Sequence, residues 1–177
     1  MGDYEILEAD PGDAVTLANL QADVLRTRLG KILGLGHPAT GVIDILSMER
    51  SWRNALAAQV PVWVAFCGDD PAGMSAILPG KDKTVGEFVL EFHPQEANKP
   101  LGLALLDAAV AKGREMGLRA FGMWVLAGDD DYIRFLSDAG FSPQGLMQKL
   151  ETPEGEPAVP SGTEHAPLEA HLWGMLL

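Results

Sequence analysis

The stretch that most constrains the fold covers residues 85–117 and reads as a strand, a polar loop and a helix. Its strand, over residues 86–92, is rich in Phe, Val and Leu and ends before Pro94, which cannot donate to a sheet. From Gly102 onward apolar residues recur at helical spacing, and Gly117 supplies a stop signal. The first N–H groups of a helix lack internal partners, and the helix dipole favours negative charge there. We therefore predict an anion-binding site at the start of this helix.

The start of this helix carries a short glycine motif. Its residues 99–104, KPLGLA, resemble Arg/Gln-x-x-Gly-x-Gly/Ala, the acetyl-CoA-binding signature of the GNAT superfamily of acyl-CoA-dependent N-acyltransferases. Lys99 stands where Arg or Gln is usual, and Pro100 removes one backbone donor. The small residues Gly102 and Ala104 would let a phosphate approach the backbone. The resemblance implies that the cofactor contacts Lys99, Leu101, Gly102, Leu103 and Ala104.

A second match lies downstream, in residues 120–145. This segment resembles the family's fifth strand, the helix that follows it and the terminal Gly-Phe pair, which is Gly140-Phe141 in this chain. Asp129 falls near the family's Asn and is a further expected cofactor contact. Leu136 falls where many members carry the Tyr that protonates the departing CoA thiolate, so the usual general acid is missing at that position.

Together the two matches imply a fold that covers nearly the whole chain. The resemblance implies an α+β protein of the α/β sandwich type with the GNAT N-acyltransferase fold. Its sheet would be mixed, mostly antiparallel and six- to seven-stranded, with helices on both faces. The fourth and fifth strands would splay to admit the pantetheine arm of acetyl-CoA, the expected cosubstrate. In this family the pantetheine arm contacts the main chain of the fourth strand, which by position means Leu90, Phe92 and His93. We expect one domain over residues 1–177.

The remaining elements follow from local pattern. Helical periodicity predicts helices near residues 15–25 and 42–58, and the apolar, β-branched run 60–67 predicts a strand. Strands are also expected near residues 4–9, 74–78 and 168–177, and residues 143–151 resemble a sixth strand that begins just past the Gly-Phe pair. Residues 68–73 read as the turn of a hairpin. The glycine-rich residues 28–41 argue against one continuous helix there, and the proline-rich residues 152–167 read as a surface loop. Trp52 is expected to pack in a core rather than to touch a substrate.

Two carboxylates on the fourth strand are candidates for the general base. Glu87 and Glu91 lie four residues apart, so both point to one face of the strand. Glu87 is the first choice, because family members often carry a Glu near the start of this strand, and it would act through water. The alternative is that both are solvated residues on a half-exposed strand. His93 has a side chain suited to proton transfer, but an ordinary loop histidine is the simpler reading.

A substitute for the missing general acid is Tyr132. It precedes Leu136 by four residues, so the two share a helix face, and its hydroxyl can donate a proton. The alternative is a packing tyrosine on an amphipathic helix.

The composition of the chain limits the classes of partner and the cellular location that we expect. The chain of 177 residues has a formal net charge of −12, which disfavours nucleic acid and anionic membrane surfaces as partners and favours a cationic amine. Cys67 is the single cysteine, and the scattered histidines have no metal-ligand spacing, so we expect no metal. No apolar run reaches the roughly 20 residues that a membrane span needs. No leader pattern opens the chain, so a cytoplasmic location is expected.

Two functional hypotheses remain open at this point. The first is an acetyl-CoA-dependent N-acetyltransferase that acts on a primary amine, carried by a small molecule or a protein. The second is a catalytically impaired module of the same fold that uses the CoA cleft for sensing, for a protein partner or for homodimerisation. The altered motif loop and Leu136 favour the second, whereas the complete strand order and the Gly-Phe pair favour the first. A third class, an acidic partner-binding protein without a cofactor, has less support.

Overall fold

The computed structural model describes residues 3–34, 43–150 and 168–177. Within these ranges the chain forms seven strands and four α-helices, with short 3₁₀ turns at Pro11–Asp13 and Glu96–Asn98. In chain order the elements are β1 (Glu5–Glu8), α1 (Ala14–Leu33), α2 (Ile45–Ala57), β2 (Val62–Cys67), β3 (Asp70–Pro79), β4 (Val85–Phe92), α3 (Lys99–Glu115), β5 (Ala120–Leu126), α4 (Asp130–Asp138), β6 (Ser142–Leu150) and β7 (Leu168–Leu176). No helix in these ranges is long and apolar enough to cross a membrane.

The strands form one sheet in the order β1-β2-β3-β4-β5-β7-β6. Every neighbouring pair is antiparallel except β4 and β5, which run parallel. The connection between these two strands is α3, as a parallel pair requires a crossover. The predicted α+β fold with a mixed, mostly antiparallel sheet is therefore confirmed.

Two separate cores cover the two faces of the sheet. On one face α1 and α2 pack against β2 and β3, with Leu17, Trp52 and Met74 among the buried residues. On the other face α3 and α4 pack against the middle strands, with Leu105 and Phe135 buried. The helices thus lie on both faces, as predicted, and Trp52 is a core residue with 5% of its surface exposed.

Side chains alternate along β4 between these two faces. Phe88, Leu90 and Phe92 are buried in the core beneath α3 and α4. Glu87 and Glu91 point to the opposite face, because successive strand residues alternate. The predicted shared face of the two carboxylates is thereby confirmed.

The parallel strands β4 and β5 are paired over only part of their length. Their register joins Val85, Gly86 and Glu87 to Ala120, Phe121 and Gly122, and pairing stops there. Beyond this point β4 continues to pair with β3 as far as Phe92, and β5 continues to pair with β7 as far as Leu126. A gap therefore opens between the two strands after Glu87, and we call it the strand gap.

Three local predictions need correction. The helix predicted over residues 15–25 is longer, since α1 continues through Gly30 to Leu33; it ends at Gly34, whose φ of 93° suits glycine, so residues 28–41 do not form one continuous helix. Helix α3 begins at Lys99 rather than at Gly102, because proline is tolerated in the first turn of a helix. Strand β3 begins at Asp70, so the predicted turn over residues 68–73 was too long. Residues 35–41 and 152–167 lie outside the described ranges.

Candidate active site

The strand gap is lined by main-chain groups of β4. Two residues apart on a strand, the carbonyls of Leu90 and Phe92 point to the same edge. The carbonyl of Leu90 accepts a hydrogen bond of 2.6 Å from the Tyr132 hydroxyl. The carbonyl of Phe92 accepts one of 3.1 Å from Nη2 of Arg28. Side chains of the protein itself therefore hold the edge of β4 that faces the gap.

Arg28 is the centre of a buried polar cluster. Its Nη1 lies 2.9 Å from Oε2 of Glu91, and its Nε lies 3.4 Å from Oδ2 of Asp129. The side chains of Arg28, Glu91 and Asp129 are only 9%, 17% and 7% exposed. The Nε atom is buried and has no hydrogen-bond partner among the residues that the structure describes. One cation thus faces two carboxylates in a largely dry environment.

Arg28 and Tyr132 approach the gap from opposite faces of the sheet. Arg28 belongs to α1, which packs on the face of the Glu87 side chain, and Tyr132 belongs to α4, which packs on the other face. The guanidinium carbon lies 3.8 Å from the centre of the Tyr132 ring, a cation–π contact. Helices on opposite faces of a fully paired sheet cannot make such a contact. The separation of β4 from β5 makes it possible.

The cluster shifts the proton affinities of its members. Burial lowers the pKa of Arg28, but the carboxylates of Glu91 and Asp129 and the contact with Tyr132 outweigh it and hold that pKa above its usual value. Burial raises the pKa of both carboxyls, Glu91 and Asp129, against the opposing charge of Arg28. Burial likewise raises the pKa of Tyr132 well above its ordinary value. Arg28 therefore stays charged, and the Tyr132 hydroxyl keeps its proton for the bond to Leu90.

The variant Asp129→Asn is expected to make stability less dependent on pH. Because the folded state raises the pKa of Asp129, the folded chain binds this proton more tightly than the unfolded chain. The free energy of unfolding then falls as the pH rises from the ordinary value of 3.8 through the raised folded pKa. Urea unfolding between pH 4 and pH 8, roughly the range where proteins are most stable, should give a shallower slope for the variant.

The matched control for this measurement is Asp131→Asn. Asp131 lies two residues further on, in α4, and its side chain is 54% exposed beside Lys31. Its removal should change the pH slope much less than Asp129→Asn does, because its charge is the smallest of the causes that shift the pKa of Asp129 and exposed pairs contribute little. A slope for Asp129→Asn that matches both the wild type and this control would contradict the burial argument.

Glu87, the preferred candidate base, lies at the point where the gap begins. It is exposed, and it occupies the last register position that joins β4 to β5, opposite Gly122. A side-chain carbon added to Gly122 would meet Leu172 and Val85 at 3.7 and 3.9 Å, which are ordinary van der Waals distances, so a small side chain would fit at this position. Within the described part of the chain no ion pair engages Glu87. Glu91, in contrast, is held by Arg28 and is not the solvated residue of the alternative reading.

His93 orders the loop after β4. Its Nε2 lies 3.1 Å from Oδ2 of Asp23, and its carbonyl accepts hydrogen bonds from the Gln95 N–H and from Nδ2 of Asn98. Of the three residues expected to offer main-chain contacts, Leu90 and Phe92 have carbonyls at the gap. The carbonyl of His93 is used by its own loop.

The start of α3, where the sequence predicts an anion-binding site, also packs closely against β4. Gly102 is buried, and an added Cβ would lie only 2.5 Å from Cζ of Phe92. The glycine therefore lets the helix approach the ring of Phe92, whatever else it does. Leu101 is buried, whereas Leu103 is 44% exposed, so the two leucines of the motif face in different directions. Phosphate binding by this motif remains a prediction.

Solvent does not reach position 136 on α4, where the resemblance to the family would place a general acid. Leu136 is fully buried among the residues packed between α4 and the sheet. Tyr132, the proposed substitute, is 2% exposed, and its hydroxyl is engaged by the carbonyl of Leu90. A hydroxyl with a raised pKa holds its proton tightly, so transfer of that proton to a thiolate requires Tyr132 to change its surroundings.

A cavity of about 340 Å³ lies on the face of the sheet that carries α1 and α2. Its walls include Met48, Trp52 and Val89, and Val89 stands between Glu87 and Glu91 on β4. Gln21 also lines it, and its Oε1 accepts a 2.9 Å hydrogen bond from Nε1 of Trp52. The cavity thus offers an apolar wall next to the candidate base. Among the described residues no group of His, Cys, Asp and Glu has the arrangement of a metal site.

Sequence reasoning missed Arg28 and Gln21. On α1 the residues Leu17, Gln21, Val24 and Arg28 recur at intervals of four, three and four, which is the spacing of one helix face. Leu17 and Val24 are fully buried. Two long polar side chains on an otherwise apolar helix face indicate that they have buried polar partners. This pattern could have identified Gln21 and Arg28 from the sequence.

Comparison with solved structures agrees with this architecture. The acetyltransferase of the GNAT family from Streptococcus pneumoniae is 23% identical, with a TM-score of 0.65 over 99% of this chain and 100% of that one. The PaiA N-acetyltransferase of Thermoplasma acidophilum, in complex with coenzyme A, is 14% identical, with a TM-score of 0.72 over 99% of both chains. YncA of Salmonella typhimurium, with its cofactor acetyl-CoA, is 15% identical, with a TM-score of 0.67 over 98% of this chain and 94% of that one.

The sequence matches a family model directly. No curated protein matches the chain in sequence. The model of the acetyltransferase (GNAT) family matches residues 36–141, which span β2 to β5, α3, α4 and the strand gap. Because this match covers more than half of the chain and the fold agrees with it, the protein belongs to the GNAT acetyltransferase family.

Proposed function

We propose that this protein transfers the acetyl group of acetyl-CoA to a primary amine. The observation that supports the proposal most directly is the strand gap, where β4 and β5 part after Glu87 and the carbonyls of Leu90 and Phe92 border the opening. An extended chain that carries amides, such as a pantetheine arm, can bind to the free edge of a strand as an added strand does. Two proteins of similar fold bind acetyl-CoA or coenzyme A, which agrees with this assignment.

The residues around the gap fit such a donor. The carbonyls of Leu90 and Phe92 would accept hydrogen bonds from its amides once Tyr132 and Arg28 release them. Lys99, at the start of α3, would contact its phosphates together with the first backbone N–H groups of that helix. Pro100 offers no N–H, so fewer main-chain donors serve the phosphates than in the usual motif. Asp129 is held by Arg28, and its predicted cofactor contact also requires this pair to separate.

The acceptor side of the proposal rests on Glu87 and the neighbouring cavity. An ammonium group must lose a proton before its nitrogen can attack, and the exposed Glu87 carboxylate would accept it through water. Acetyl-CoA supplies a thioester whose carbonyl carbon exchanges its bond to sulfur for a bond to the amine nitrogen, with release of CoA and one proton. The net charge of −12 favours a cationic acceptor, and the apolar wall of the cavity would hold its carbon skeleton.

The test is acetyl-CoA binding followed by a turnover assay. Saturation at about 100 times the dissociation constant should stabilise the fold by roughly 2.7 kcal/mol, which is a readable shift of melting temperature. Released CoA thiol is then measured with a panel of primary amines. Absence of both heat and thermal shift with acetyl-CoA would contradict the proposal.

A second candidate function is a CoA-binding module with impaired catalysis. Two observations favour it: Leu136 stands buried at the position of the family's acid, and the β4 carbonyls are held by the chain's own side chains. This candidate predicts binding of CoA and of acetyl-CoA without release of thiol for any amine in the panel. Turnover with one amine excludes it.

A further inference from the structure

We propose that Arg28 and Tyr132 form a closed gate across the strand gap, which competes with acyl-CoA for the carbonyls of Leu90 and Phe92. The inference rests on the proposed function and concerns access to the same site. It makes these two side chains determinants of donor affinity, in addition to whatever they contribute to folding.

The first argument is position. The two side chains come from opposite faces of the sheet and meet through the gap, with the guanidinium 3.8 Å from the ring centre. A pantetheine arm laid along β4 needs the same carbonyls, which now accept bonds of 2.6 and 3.1 Å from these two side chains. Because this contact crosses the gap along which the arm would lie, the arm and the two side chains compete for the same space.

The second argument is that the closed arrangement leaves a polar group unsatisfied. Nε of Arg28 is buried without a hydrogen-bond partner among the described residues, although Oδ2 of Asp129 is 3.4 Å away. A buried donor without a partner raises the free energy of the closed arrangement. Opening this gate therefore gives up less stabilisation than opening a fully hydrogen-bonded cluster would. The imperfect satisfaction of Arg28 indicates a contact that can be exchanged for another.

The third argument identifies the part that moves. The ring of Tyr132 is anchored in an aromatic group, with centroids 6.2 Å from Phe92 and 6.5 Å from Phe135. Arg28 extends from α1 by a long side chain with several rotatable bonds. Opening therefore consists of withdrawal of the guanidinium and rotation of the Tyr132 O–H bond away from the Leu90 carbonyl, while the ring stays packed.

The gate has a measurable effect on donor binding. When only the open fraction of molecules binds, the apparent dissociation constant equals the intrinsic one divided by that fraction. The variant Tyr132→Phe keeps the ring but removes the bond to Leu90, and so it raises the open fraction. We expect acetyl-CoA to bind about fivefold more tightly, equivalent to roughly 1 kcal/mol, the typical net value of one buried hydrogen bond.

A second variant tests the guanidinium. Arg28→Lys keeps the charge but loses the planar fork that reaches Glu91 and Phe92 together. It should also tighten acetyl-CoA binding several-fold. The matched control is Arg134→Lys, because Arg134 lies on α4 with its side chain 68% exposed beside Asp131. This control should bind acetyl-CoA as the wild type does.

The experiment is calorimetry of acetyl-CoA with wild type and the three variants, with melting temperature as the check on folding. Tighter binding by Tyr132→Phe and Arg28→Lys than by the wild type, with Arg134→Lys unchanged, supports the gate. Equal binding by all four proteins overturns the gate and leaves the proposed function standing. Weaker binding by Tyr132→Phe also overturns it and assigns the hydroxyl to the donor. Absence of binding in all four overturns both proposals.

Discussion

Arg28→Ala is expected to lower the free energy of unfolding by about 3–5 kcal/mol, the usual cost of removing one partner from a buried ion pair. The variant leaves Glu91 and Asp129 buried together without the cation that lies 2.9 and 3.4 Å from them. It also removes the donor to the Phe92 carbonyl and the cation over the Tyr132 ring. Alanine is the better helix former, so helix propensity opposes this loss and cannot explain it. Urea unfolding near neutral pH measures the change.

The control for Arg28→Ala is Arg53→Ala. Arg53 pairs with Glu49 one turn away on α2, and its side chain is 61% exposed. Because exposed pairs of this kind contribute only about 0.3–0.5 kcal/mol, its removal should be close to neutral. If both variants lose the same small amount, the Arg28 cluster is not a buried network of the kind described. Addition of Glu91→Gln and Asp129→Asn to Arg28→Ala should recover part of the loss, since no unpaired charge then remains.

The second large effect is expected from Glu87→Gln in the turnover assay. If Glu87 takes a proton from the acceptor through water, kcat should fall by about 100-fold or more, which is the lower range for general base catalysis. The amide cannot accept that proton, but it occupies the same space at the edge of the strand gap. The dissociation constant for acetyl-CoA should change by less than about twofold, because the donor contacts lie farther along β4. The assay uses the amine with the highest turnover in the panel.

Glu8→Gln is the matched control for this variant. Glu8 is also an exposed strand carboxylate, but it lies on β1 at the far edge of the sheet. Its substitution should leave kcat unchanged. Retention of wild-type kcat in Glu87→Gln would assign proton removal to bulk water or to another group.

Local patterns together with the resemblance to the family were sufficient to predict most of the fold. The period of two in residues 86–92 predicted that Glu87 and Glu91 share a face and that Phe88, Leu90 and Phe92 share the other. The helical spacing and the two family motifs predicted the sheet with helices on both faces. Predictions failed at helix ends and at one turn: α1 continues past residue 25 through Gly30, and α3 begins at Lys99, with Pro100 in its first turn, rather than at Gly102. Signals of this kind lower helix propensity, but tertiary packing overrides them.

The surroundings of the candidate site residues were harder to predict from sequence patterns. In the sequence, Glu87 and Glu91 are equivalent carboxylates on one strand face, and their different surroundings appear only when α1 packs across the end of β4. Gly102 illustrates the same limit, because its need for a small side chain comes from the ring of Phe92, ten residues away, as well as from any phosphate.

The sequence by itself determined the elements, the strand order implied by the family motifs and the placement of the candidate donor loop at the start of α3. Only the tertiary structure decided that Glu91 is paired, that Glu87 is exposed and that Arg28 meets Tyr132 through the strand gap. The physical reason is the separation along the chain between the residues that interact. Secondary structure depends on neighbours within a few residues, whereas Arg28 and Glu91 are separated by 63 positions and meet only because α1 packs across the end of β4.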